Sequence, residues 1–137
     1  MKNSKLLLKI HINVTDVLEV SGTDLTAKMI LFDGYCNNPL FTGKILPGAV
    51  DTQKIYSNGA TSLSARYILE GTDETGKNCR LFIENIAIST PDEKVITRPQ
   101  IYTDSKALKW LEAESLYGEM ANDDEGFSIL IMKGTQE

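Results

Sequence analysis

The sequence contains one histidine, His11, and that scarcity removes a large set of chemistries. A serine or cysteine nucleophile needs a base beside it, and the usual base is an imidazole. A zinc site built on several imidazoles is excluded on the same ground. His11 itself falls on the polar side of an alternating segment and reads as a solvated strand residue. Cysteine is nearly as scarce. Cys36 and Cys79 stand far apart, in no metal-ligand spacing, and read as reduced, partly buried thiols. Neither G-x-G-x-x-G nor G-x-x-x-x-G-K-[ST] occurs, so no nucleotide is expected on a glycine-rich cradle. Asp123-Asp124-Glu125 before Gly126 lacks the spacing of an EF-hand and reads as a hairpin turn. No cofactor and no metal are expected.

Basic charge is also in deficit, with 14 Lys and Arg against 19 Asp and Glu and a net charge of -5. Such a surface repels phosphate backbones, and no basic run reverses this locally, so no nucleic-acid partner is expected. Long hydrophobic runs are missing too. The chain opens Met1-Lys2-Asn3-Ser4-Lys5-Leu6-Leu7-Leu8, but Lys9 and His11 interrupt the apolar stretch and no small-residue cleavage site follows. Nothing approaches the ~20 apolar residues needed to cross a bilayer, so a cytoplasmic location without membrane contact is the expectation. The 137 residues suit one domain, 1–137, that buries about two-thirds of its unfolded surface without staples.

What the sequence does have is alternation. Leu6, Leu8, Ile10, Ile12 and Val14 fall on one side of an extended segment, and Lys5, Lys9, His11 and Asn13 on the other. Turn signals recur at strand-like intervals: Gly22-Thr23-Asp24, Asn37-Asn38-Pro39, Pro47-Gly48, Asn58-Gly59, Thr75-Gly76, Pro91-Asp92 and 122–126. Only one stretch invites a helical turn, where Asp104 or Ser105 can cap Ala107, Leu108 and Leu111. The fold class expected is all-β, an antiparallel up-and-down β-barrel with at most one short helical turn.

One hairpin can be read in register. With Asn58-Gly59 as a two-residue turn, Gln53 faces Ser64 and Asp51 faces Arg66, all on one side of the sheet with Ser62. Leu63, Ala65, Tyr67 and Leu69 then fall on the opposite side. With Thr75-Gly76 also a two-residue loop, Arg66 meets Asn85 and Tyr67 meets Glu84. A loop one residue different puts Glu84 beside Arg66 instead. A guanidinium held by a carboxylate grips a carboxylate or carbonyl ligand with two hydrogen bonds, so Asp51, Gln53 and Arg66 with Glu84 or Asn85 form the leading candidate site. Tyr67 with Glu84 is a rival on the other side. Arg98 and Tyr102 share one strand face and are candidates to close a barrel mouth, while Trp110 reads as core packing.

Several motifs carry a family resemblance. Gly43-Lys44-Ile45-Leu46-Pro47-Gly48-Ala49-Val50-Asp51, Ala65-Arg66-Tyr67, Ile83-Glu84-Asn85, Thr97-Arg98-Pro99 and Trp110-Leu111 occur in an order and spacing similar to those of the domain of unknown function 3237, also filed as uncharacterised protein family 0311. The chain departs from the family pattern at Thr52, at Ile86-Ala87 and at Glu112. The resemblance implies a compact antiparallel barrel, often oligomeric, and supplies no catalytic residues.

Three functional readings follow. The first is a small-molecule-binding barrel for a small organic acid or carbonyl compound, with Asp51, Gln53, Arg66, Asn85, Arg98 and Tyr102 as binding candidates. The second is a cofactor-free isomerase, cyclase or hydro-lyase, with Asp51, Glu84 and Tyr67 as acid–base candidates. The third is a structural homo-oligomer, in which apolar residues on both faces of 27–35 divide between core and subunit interface.

Overall fold

A computed structural model of the chain describes residues 4–134. Its strands are β1 (Lys5–Ser21), β2 (Leu25–Asn37), β3 (Phe41–Ile45), β4 (Val50–Tyr56), β5 (Thr61–Asp73), β6 (Asn78–Ser89), β7 (Ile96–Thr103), β8 (Leu116–Asp123) and β9 (Gly126–Lys133). A short 3-10 turn, Lys109–Glu112, lies between β7 and β8. Every pairing is antiparallel, and β9 returns to pair with β1, so the sheet closes on itself. The chain is an all-β antiparallel barrel.

The third position of the ring is shared. Both β3 and β4 lie between β2 and β5, one beyond the other, with residues 46–49 looped out between them. The loop is pinned on both sides: Leu46 N donates to Ile68 O at 2.8 Å, and Phe32 N to Ala49 O at 3.3 Å. Pro47 supplies no N–H to a ladder, which is why the strand breaks here. With β3 and β4 sharing one place, the ring is that of an eight-stranded barrel, the size whose interior holds side chains or one small ligand.

The β4–β5 hairpin differs from the expected register. Its loop is Ser57-Asn58-Gly59, three residues long: Tyr56 N donates to Ala60 O at 2.8 Å, and Gly59 N to Tyr56 O at 2.8 Å. Gly59 takes φ +89°, the left-handed position that closes such a loop. One added loop residue slips the pairing by one and exchanges the faces of the partner strand. Asp51 therefore pairs with Ala65, Gln53 with Leu63 and Val50 with Arg66. The β5–β6 hairpin repeats the device with Glu74-Thr75-Gly76, where Gly76 has φ +86°. It gives the second of the two registers considered, with Arg66 facing Glu84 and Ala65 facing Asn85.

The first strand also slips twice, against β9 between Leu6 and Leu8 and against β2 between Val14 and Asp16. A bulge between Leu6 and Leu8 leaves Leu6 44% exposed and turns Leu7 inward at 4%. From Leu8 to Val14 the expected alternation holds, with Leu8 and Ile10 fully buried.

The barrel interior divides into two halves. One half is packed solid: Leu8, Phe41, Leu69, Leu81, Ile83 and Ile131 meet there. Leu108 and Leu111 from the segment around the 3-10 turn close this end, at 0% and 1% exposure. The turn is held by Ser105, whose Oγ accepts from Leu108 N at 3.2 Å and donates to Asp73 Oδ2 at 2.7 Å. The other half is hollow.

Candidate binding cavity

The hollow half encloses about 350 Å³. Its walls are mainly apolar, with Ile12, Ile30, Phe32, Leu63, Phe127 and Ile129 among them. Against these walls stand a few polar side chains: Asp51 and Gln53 from β4, Tyr67 from β5, Asn85 from β6 and Thr97 from β7. Mostly apolar lining with few convergent polar groups is the usual character of a small-molecule site.

The register explains how they meet. Asp51, Ala65 and Asn85 occupy one cross-strand row on the inner face. Ala65 is small, which leaves space between the two longer polar residues. Tyr67 stands two residues further along β5 on the same face, a diagonal neighbour of Asp51 within reach of long side chains. Its ring packs edge-on against Phe32, with centroids 5.5 Å apart.

Gln53 Nε2 donates to Asp51 Oδ2 at 2.8 Å. The other carboxylate oxygen, Oδ1, is out of solvent contact and has no hydrogen-bond partner among the described residues. The Tyr67 hydroxyl is in the same condition, in a residue only 3% exposed. Burial raises the Asp51 pKa above its usual value of 3.8, opposed in part by the bond from Gln53. Burial also raises the Tyr67 phenol above its ordinary value of 10.0, with a smaller contribution from Cys36, so the hydroxyl keeps its proton. Thr97 Oγ1 reaches Asn85 Oδ1 at 3.5 Å, a long contact that binds neither group tightly. Deeper still, burial pushes the Cys36 thiol up to about 12, and its Sγ donates to Asn38 Oδ1 at 3.0 Å. That thiol is inert rather than nucleophilic.

Of the residues singled out in the sequence, Asp51, Gln53, Asn85 and Tyr67 converge on the cavity. Arg66 does not join them. The one-residue slip sends it to the outer face, where it is exposed opposite Glu84. With Arg98 it borders a shallow outer groove beside Ile86 and Ile88. Tyr102 is 53% exposed on the same outer face, stacked near Phe82 at 6.3 Å, and stands away from the mouth. Trp110 packs against the core with Lys133 Nζ 5.6 Å from its ring centroid. His11 lies outside, stacked on Tyr35 at 4.4 Å. Among the described residues, no group of three or more His, Cys, Asp or Glu side chains is placed to hold a metal ion. No helix among them is long and apolar enough to cross a membrane.

Thr97 and Ala65 were not singled out as site residues in the sequence. The signal for Ala65 was the third loop residue: Ser-Asn-Gly, with glycine last, fits the three-residue hairpin as well as Asn-Gly fits the two-residue one.

The model of the family "Protein of unknown function (DUF3237)" matches residues 3–133. The chain belongs to this family. A UPF0311 protein of Clostridium acetobutylicum is 31% identical over 97 residues, covering 68% of this chain and 59% of that protein's length. The DUF3237 fold is similar to a crystal structure of a protein of unknown function, also from Clostridium acetobutylicum. That match has a TM-score of 0.81 and 25% identity, over 97% of this chain and 99% of the other. A crystal structure described as a beta-barrel like protein from Acinetobacter baumannii has a TM-score of 0.76 at 15% identity, over 98% of this chain and 97% of that one. These relatives support the barrel and leave the chemistry to the cavity of this DUF3237 member.

Proposed function

We propose that the cavity binds a small carbonyl compound. One observation carries the reading: Asp51 Oδ1 and the Tyr67 hydroxyl are both buried without partners among the described residues, and both border the same hollow. A buried polar group left unsatisfied costs about 1–3 kcal/mol, and a ligand that satisfies it recovers that cost. The protonated phenol of Tyr67 donates to a carbonyl oxygen. Asp51 accepts from a hydroxyl or N–H beside that carbonyl when ionised, and donates when protonated. The apolar walls take up the carbon skeleton. With Arg66 outside, no guanidinium meets a carboxylate on the cavity floor, so the carbonyl half of the expectation stands ahead of the organic-acid half.

The test is a thermal-shift screen of the protein against ketones, aldehydes and organic acids, repeated on Asp51→Asn and Tyr67→Phe. A ligand at 100 times its Kd adds about 2.7 kcal/mol of stability. Carbonyl compounds that shift the wild type and lose most of that shift in both variants support the reading. A panel of carbonyl compounds without effect removes it.

A second reading is favoured by the raised pKa of Asp51 next to a hydroxyl donor. A carboxylate of raised basicity can take a proton α to a carbonyl while Tyr67 stabilises the enolate oxygen, as a cofactor-free isomerase or cyclase requires. Glu84 lies on the outer face and has no part in it. Exchange of α-hydrogens for deuterium in a bound ketone, abolished in Asp51→Asn, is the measurement that separates catalysis from binding. A cytoplasmic setting and self-association belong to the same proposal. The latter draws support from Met29 and Tyr35, which leave 46% and 45% of their surfaces exposed on the outer face of β2. Light scattering that finds a monomer removes self-association.

A further inference from the structure

The inner face of the barrel does not end at Gln53. One strand across from Gln53, β2 places Lys28, and one strand beyond that, β1 places Glu19. Ile30, two residues along β2 and paired with Asp51, lines the cavity, so the alternation sets Lys28 on the same inner side. The row Glu19, Lys28, Gln53, Leu63 is therefore the next course above the row that holds Asp51. It forms a rim.

Among the residues of that rim, Lys28 carries the positive charge. Its Nζ reaches Glu19 Oε1 at 3.3 Å, and the two side chains keep 33% and 45% of their surfaces exposed. Half-exposed pairs of this kind hold weakly and exchange partners readily. A lysine on the inside of a barrel rim, tethered by an exchangeable carboxylate, is placed to receive an anion entering the barrel. The strand spacing also sets a length. One course of the inner face advances by two residues, about 7 Å along a strand.

We propose that Lys28 is the specificity residue of the cavity, and that the ligand is a carbonyl compound whose other end is a carboxylate that reaches the rim, one course of about 7 Å above Asp51 and two courses above Tyr67. This rests on the carbonyl-binding reading above. The carbonyl lies toward Tyr67 and Asp51, the carbon skeleton runs along the apolar walls, and the carboxylate displaces Glu19 from Lys28. An organic acid and a carbonyl compound are then the two ends of one molecule.

The experiment uses a matched pair of rigid probes, 4-acetylbenzoate and 4-acetylbenzamide, titrated calorimetrically into the wild type, Lys28→Met and Glu19→Gln. In the wild type the acid binds more tightly than the amide. Lys28→Met weakens the acid by about tenfold or more and leaves the amide within about twofold, which also reports that the cavity is intact. Glu19→Gln, which removes the competing carboxylate, tightens the acid alone. If both probes bind the wild type and Lys28→Met equally well, the role of Lys28 is overturned while the carbonyl site stands. If neither probe binds the wild type at millimolar concentration, the carbonyl site falls and the role of Lys28 falls with it.

Discussion

Tyr67 and Asp51 make opposite demands on stability and on binding, and single substitutions separate the two. Tyr67→Phe keeps the ring and its edge contact with Phe32 but deletes the unpartnered hydroxyl. The expected result is a free protein more stable by about 1 kcal/mol, seen as a higher melting temperature, with a weaker response to carbonyl ligands. Destabilisation of the free protein would instead make the hydroxyl part of the packing. Asp51 adds a pH signature. Its folded-state pKa lies above 3.8, so between 3.8 and the folded value the native state holds a proton that the unfolded chain has released. Its contribution to stability is therefore lost as pH rises through that window. Asp51→Asn should flatten this fall in a series of denaturant titrations. A wild-type slope that survives in the variant would assign it to another group.

At the scale of elements, the β5–β6 hairpin shows how a turn reaches across the fold. Asp73 Oδ1 accepts from Thr75 Oγ1 at 2.6 Å, from Thr75 N at 2.9 Å and from Lys77 N at 3.2 Å, while Oδ2 accepts from Ser105 Oγ. The Thr75 hydroxyl is the largest cause, followed by Ser105, and together these bonds hold the Asp73 pKa down to about 2. The sign is opposite to that of Asp51. The stability from Asp73 is fully present above 3.8 and is lost as pH falls through about 2. Asp73→Asn should lower stability at neutral pH and shrink the acid-induced loss between pH 4 and pH 2, read as the change in urea midpoint. Because Ser105 bonds to Leu108 N, the same substitution should loosen the 3-10 turn that closes the packed end.

For the whole molecule, the division of the interior into a packed and a hollow half governs where substitutions hurt. Leu81 is fully buried in the packed half, so Leu81→Ala leaves a void that its neighbours cannot fill and should cost about 2–5 kcal/mol. Leu63 borders the cavity and already lacks contacts on one side. Leu63→Ala should cost clearly less than Leu81→Ala, while enlarging the cavity and altering ligand preference. Chemical denaturation of the two variants side by side decides the point. Equal losses would mean that the cavity half is as tightly packed as the closed half.

The sequence by itself determined the fold class and most of the cavity's chemistry. Alternating residues and closely spaced turn signals require antiparallel strands, and a single histidine leaves few routes to nucleophilic chemistry. Asp51, Gln53, Tyr67 and Asn85 were all legible as candidates, because polar side chains on otherwise apolar strands need a reason to be there. What the tertiary structure decided was which of them share a face. Asn-Gly reads equally as the whole of a two-residue loop or the last two-thirds of a three-residue one, and the difference is a single residue of register. That residue moved Arg66 to the outside and brought Tyr67 onto the same side as Asp51. Pro47-Gly48 signalled the break at residues 46–49, but that β4 then pairs with β2 beyond β3, setting Lys28 beside Gln53, was out of reach. That pairing joins strands that are not consecutive in the chain, and no local pattern encodes its register.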